Sequence, residues 1–140
     1  MVDANVANEL RQCKNVDFGN KSFNDMSDYY NGLDCMLNCS KSEAVASTTV
    51  ESICCGTPVI TTPVGYSKNI IIDKANGFFV KPDITEYKKA IEYFAFADYD
   101  KIFKLNAFVA QNILDFRLLI SYVDLAFEDI LKSRVSRIKI

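Results

Sequence analysis

The chain has no histidine, which removes the His-assisted serine and cysteine triads and the commonest general base. A catalytic histidine would have to come from another chain. Basic residues are not in excess either: 16 Lys and Arg stand against 18 Asp and Glu, a formal net charge of -2 with a pI near 5.1, which argues against a dedicated nucleic-acid surface. No stretch approaches the ~20 consecutive apolar residues of a membrane-crossing helix. The amino terminus, MVDANVANELRQ, carries acids where a secretory signal carries bases ahead of an apolar run, so a cytoplasmic protein is expected. Internal repeats, low-complexity tracts and Pro-, Gly- or Ser-rich linkers are also missing. Nothing divides the 140 residues, a modal size for one domain with one core.

Five cysteines are present, but their spacing fits neither CxxC metal knuckles nor a secreted disulfide framework. Cys35 and Cys39 fall on an apolar run, and Cys54 and Cys55 at a helix end. Small buried thiols are expected.

The chemistry concentrates in residues 38–65, NCSKSEAVASTTVESICCGTPVITTPVG. An apolar run at 35–39 leads into a polar break, a helical segment over 47–54 and a second apolar run at 58–62, which reads as strand, loop, helix, strand. Parallel strands need a crossover of about a dozen residues, usually helical and right-handed, so these two strands should be neighbours. The loop after Cys39 then lies at the carboxyl end of its strand, where open parallel sheets bind ligands. Two carboxylates, Glu43 and Glu51, stand there with seven residues between them. The N-terminus of the intervening helix has unpaired N–H groups and about half a positive charge, suited to a phosphate or diphosphate. Carboxylates beside that phosphate would repel it and are better matched to hydroxyls, such as those of a sugar or a ribose. A plainer reading competes: Thr48, two residues, then Glu51 is the pattern of a capping box, which uses the glutamate to close a helix end.

Glu43, Glu51, the run Cys55-Gly56-Thr57-Pro58-Val59-Ile60, Val64-Gly65 and the later Asn76-Gly77 together resemble the family 4 type of retaining glycosyltransferases of the GT-B fold. The likeness is to their second, donor-binding domain and runs over residues 10–94. It implies that Glu43, placed as the catalytic residue, contacts hydroxyls of the donor sugar, and that Glu51 accepts from the nucleotide ribose. It also implies a substrate-binding role for Ala44, Val45, Ala46, Ser47 and Thr48 around them, with Gly65 in the next loop. The family's usual Glu-Gly-Phe-Gly is here Glu43-Ala44-Val45-Ala46, a departure that matters because glycine allows close backbone approach and positive φ.

Along the rest of the chain, residues 2–13 carry one helical apolar face. Val16, Asp17 and Phe18 read as a short strand closed by Gly19, and the resemblance makes 19–22 a candidate for base contacts. A short helix over 24–31 stopping at Gly32 follows. After 58–62, Asn76-Gly77 turns into a strand at 78–80, and 85–96 forms a helix with Ala90, Ile91 and Phe94 on its apolar face. Asp98 and Asp100 invite comparison with an Asp-x-Asp metal motif, but their place between two helices makes an N-cap the better reading. The last helix, over 117–134, ends among Lys132, Arg134, Arg137 and Lys139. Those cations complement the helix dipole; the sharper alternative is a peripheral membrane contact.

The expected fold is therefore α/β and Rossmann-like: a mainly parallel sheet of about four strands with helices on both faces, a partial GT-B C-terminal domain. By the resemblance, residues 1–140 form a single but incomplete donor-binding half. They lack the acceptor domain and the first strands of the donor domain, so the chain alone is not expected to turn over. Its function would be to bind a nucleotide diphosphate sugar for glycosyl transfer, with a second chain or missing domain as partner and no nucleic acid, metal or other cofactor. The alternative is a non-catalytic nucleotide-binding or interaction module derived from such an enzyme.

Overall fold

The computed structural model describes residues 4–12, 16–17 and 21–135. Strands β1 (Met36–Asn38), β2 (Val59–Thr61) and β3 (Gly77–Phe79) form one parallel sheet in the order β1-β2-β3. Met36 pairs with Val59, Leu37 with Ile60 and Asn38 with Thr61, so the two strands expected to be neighbours are neighbours. Seven helices accompany the strands among the described residues: α1 (Ala4–Leu10), α2 (Met26–Asn31), α3 (Ser47–Cys54), α4 (Ser67–Ile70), α5 (Ile84–Ala95), α6 (Tyr99–Asn112) and α7 (Phe116–Val135). A 3-10 turn, Phe23–Asp25, leads into α2.

β2 shows why the sheet has two covered faces. Successive strand residues point to opposite sides, and Val59 and Ile60, both at 0 % exposure, fall in different apolar clusters. Ile60 packs with Val6, Leu10, Tyr87, Ala90 and Phe94 of α1 and α5. Val59 packs with Tyr30, Ile53, Ile70 and Val109 of α2, α3, α4 and α6. Each of these two strand side chains contributes roughly 1.5–3 kcal/mol by leaving water. Gly77 opens β3 because a Cβ there would stand 2.7 Å from the Val59 carbonyl oxygen. The preceding Asn76, fully buried, accepts from Ile72 N–H (2.7 Å) and donates to Ile70 C=O (3.0 Å), which fixes the turn into that strand.

About four strands were expected and three are described. Val16 and Asp17 lie outside any ladder, and Phe18 is outside the described residues. A short apolar triplet becomes a strand only where a neighbour completes its hydrogen bonds; here the Tyr29 hydroxyl donates to the Asp17 carbonyl (3.3 Å). The thiols meet the expectation of burial only in part, and Cys13 is outside the described residues. Cys39 is buried, Cys35 and Cys55 are half-buried, and Cys54 is exposed, because it sits on the outer side of the last turn of α3. Burial pushes the Cys35 thiol up to about 11, with help from Asp34.

The N-cap reading of Asp98 holds: its carboxylate accepts from Lys101 N–H at 3.2 Å at the start of α6. Asp83 does the same for α5 through Thr85 N–H at 2.8 Å. Buried Asn106 of α6 leaves both side-chain polar atoms without a partner among the described residues. α7 keeps much apolar surface in water, with Phe116, Leu125 and Phe127 67, 61 and 61 % exposed. Among the described residues no helix is long and apolar enough to cross a membrane.

Candidate functional site at the carboxyl end of the sheet

The loop 39–46 leaves β1 at its carboxyl end and enters α3, whose bounds match the segment read from sequence. Several polar contacts hold its base. Asn38, almost fully buried, accepts from Ser40 N–H at 2.9 Å and donates to Thr49 Oγ1 of α3 at 3.4 Å. The Tyr87 hydroxyl of α5 donates to the Asn38 carbonyl at 2.9 Å. Thr62, just past β2, donates to the Ser40 carbonyl, and the Ser40 hydroxyl donates to Glu43. Glu43 is thereby tethered to the strand end and half-buried.

The loop after β2 closes against the same segment. Gly65 has φ +52°, and a Cβ there would lie 2.8 Å from the Ala44 carbonyl oxygen and 2.9 Å from that of Glu43. Glycine is thus required at 65 by both backbone angle and space. The structure brings Glu43, Ala44 and Gly65 into one backbone contact, which the sequence had placed in separate loops.

α3 does not begin with a capping box. Its N-cap is Ala46, in the left-handed region at φ 58°, ψ 59°, with no side-chain cap bond. Thr48 lies inside the helix, so its hydroxyl cannot play the part of a cap. The left-handed turn at Ala46 brings the chain into the helix one residue before Ser47, which displaces the register that the capping pattern needs. Thr49 and Val50 N–H both donate to the Ala46 carbonyl (2.9 and 3.2 Å). That leaves the Ser47 and Thr48 N–H groups at the open end of the helix, beside exposed Val45.

Glu51 is engaged elsewhere. Its Oε2 accepts from the hydroxyl of Tyr30, a residue of α2 only 2 % exposed, at 2.8 Å. Burial first, and then the Glu51 carboxylate, push the Tyr30 phenol well above its ordinary value, so the tyrosine stays a proton donor to the glutamate. Of the expected site residues, Glu43, Ala44, Val45, Ala46, Ser47 and Thr48 form one continuous rim with Gly65, and Glu51 lies on the next turn of α3. Gly19 is outside the described residues. Sequence reasoning missed Ser40, Thr62 and Tyr30. Ser40 stands three residues before Glu43, a visible spacing, whereas Tyr30 reaches Glu51 across 21 residues of sequence, and no local pattern signals it.

Two shallow, open depressions lie elsewhere among the described residues. One is walled by Leu33, Thr57, Pro58 and Phe103, the other by Asp17, Lys21, Asp28 and Tyr29. Leu33 and Pro58 precede β1 and β2, so the first of these lies toward the amino ends of the strands, away from the glutamate loop.

Comparison with known proteins finds a family and a fold. The family model described as glycosyl transferases group 1 matches residues 5–99. Among solved structures, a sucrose-phosphate synthase from Thermosynechococcus elongatus is similar at a TM-score of 0.67 and 22 % identity, over 75 % of this chain and 27 % of that one. At that identity the likeness shows the fold, a Rossmann-like domain of the GT-B type, and the chain spans about a quarter of that structure's length. No curated protein matches the chain.

Proposed function

The chain belongs to the group 1 glycosyl transferases, and from that premise we propose that it is the donor-binding part of such an enzyme. In this reading a nucleotide diphosphate sugar lies over the carboxyl ends of β1 and β2. Its diphosphate faces the open N-terminus of α3 at Ser47 and Thr48, where unpaired N–H groups favour an anion. Glu43 accepts from hydroxyls of the sugar, and Glu51 accepts from the ribose. The observation that carries the proposal is the clamp between the two loops: Ser40, Thr62 and Gly65 together hold the Glu43 segment at the strand ends. A carboxylate held in place before a ligand arrives loses less freedom on binding.

Turnover is assigned to an assembly. The chain covers only 27 % of the similar solved structure, and a second domain or chain is proposed to hold the acceptor. Exposed Phe96, Phe116 and Phe127 are apolar surface of the kind such a partner covers. No metal is proposed to take part, since the acidic pair is suited to hydroxyls. Lys132 and Arg134 at the end of α7 are the proposed peripheral contact to anionic lipid headgroups; Arg137 and Lys139, read with them from the sequence, are outside the described residues.

The test separates the two glutamates by calorimetric titration of nucleotide sugars and of the matching free nucleotides. A hydrogen bond to a charged group contributes ~1.5–3 kcal/mol, about ten- to a hundredfold in affinity. Glu43→Gln is expected to lose that much for the nucleotide sugar and almost nothing for the free nucleotide. Glu51→Gln is expected to weaken both, while its amide oxygen still accepts from Tyr30. Unaltered affinities in both variants at unchanged melting temperature would remove the assignment.

A further inference from the structure

Tyr30 lies outside every motif read from the sequence, yet its hydroxyl is bonded to a glutamate of the candidate site. Its ring is buried among Met36, Ile53 and Val59, and its backbone is pinned too, since Thr57 Oγ1 donates to the Tyr30 carbonyl at 2.7 Å. A donor held at both ends is a fixed point. Glu51, by contrast, is a long side chain on an exposed face of α3, and such a side chain loses rotamer freedom when a ligand orders it.

We propose that Tyr30 is a positioning residue that presets Glu51 for a vicinal diol, making the site selective for ribonucleotides over nucleotides lacking the ribose hydroxyls. The proposal rests on the donor-site reading given above. Tyr30 occupies one lone pair of Oε2; an ionised carboxylate has about four acceptor sites, so Oε1 and the rest of Oε2 remain to receive two hydroxyls. The phenol is raised in pKa by burial and by Glu51 itself, so it does not ionise and repel the carboxylate at any ordinary pH. The ring fills core space whether or not the hydroxyl is present, which lets the two roles be separated by one atom.

The experiment uses Tyr30→Phe, with uridine, guanosine and adenosine diphosphates each beside its 2′,3′-dideoxy counterpart. In the unsubstituted chain the nucleotide that binds tightest is expected to be preferred over its dideoxy form. In Tyr30→Phe, affinity for the ribonucleotide should fall roughly two- to tenfold, the worth of one immobilised side chain, while the dideoxy form is unaffected. Placed in a Glu51→Ala background, where no side chain is left for the hydroxyl to hold, Tyr30→Phe should change nothing further in the ratio. Equal losses for both nucleotide forms, or no loss, would make Tyr30 merely structural and overturn the inference with the donor site intact. A chain that binds these nucleotides without ribose preference, or not at all, would overturn the inference and the donor-site reading together. If Tyr30→Phe lowers the melting temperature, the ratio of the two affinities within that one variant still decides, since partial unfolding scales both alike.

Discussion

Ala46 and Gly65 both hold left-handed backbone, at φ 58° and 52°, and they differ in what surrounds them. At Ala46 three effects of similar size oppose one another. A left-handed alanine costs ~1–2 kcal/mol, while glycine there would lose about 0.8 kcal/mol of methyl burial and ~0.4–1 kcal/mol through a freer unfolded chain. Ala46→Gly is therefore expected to lie within ~1 kcal/mol of the parent in urea unfolding. Ala46→Val, with a branched Cβ at positive φ, should cost more than ~2 kcal/mol. Gly65→Ala meets backbone strain and two carbonyl oxygens at once, and about 2–4 kcal/mol is expected from left-handed strain plus overpacking. Equal midpoints for the glycine and valine variants at 46 would contradict the observed backbone. The left-handed turn at Ala46 could not be read from residue type, since alanine favours helix. The competing capping pattern has the right spacing at Thr48 and Glu51, but spacing does not show that the helix is entered at Ala46.

The start of α6 was legible because a side chain, Asp98, does the capping; Asp83, which caps α5 in the same way, was not read from the sequence. Asp83 and Asp98 both accept from the first turns of their helices, and those bonds hold each carboxyl below its usual 3.8. A depressed folded-state value means that the cap contributes above the unfolded pKa and is lost as pH falls through that range. The melting temperature should thus drop on going from pH 5 to pH 3. Asp83→Asn with Asp98→Asn, which keeps a capping oxygen but cannot titrate, should flatten that drop. Superimposable pH profiles would contradict it. α3 was legible because a polar loop and a Gly-Thr-Pro turn bracket it. Pairing at Val16 was not, because a strand depends on a neighbour that periodicity does not show. Asn106 of α6, buried with no partner for either polar atom among the described residues, is another feature hidden from sequence. An unsatisfied buried amide costs ~1–3 kcal/mol. Asn106→Leu, close in volume, is expected to raise stability by about that amount, and a loss of stability would mean that the amide is satisfied in solution.

At the scale of the whole molecule, the parallel sheet with covered faces followed from apolar runs alternating with helical segments, because each level agrees with the next. The Glu43 loop was legible as a location, the carboxyl end of a strand. Its tethering by Thr62 and Gly65 was not, since that contact joins segments about 20 residues apart, which only the β1–β2 pairing brings together. The central claim is that the donor binds where these loops meet. It is tested most directly by recording backbone amide shifts of the 15N-labelled chain during titration with uridine, guanosine and adenosine diphosphate glucose. The account expects at least one of them to move the amides of residues 40–48 and 62–67, with the largest changes at Ser47 and Thr48, where the phosphate would accept. Shifts confined to the depression around Leu33, Thr57, Pro58 and Phe103, or no shifts with any of the three at millimolar concentration, would contradict it.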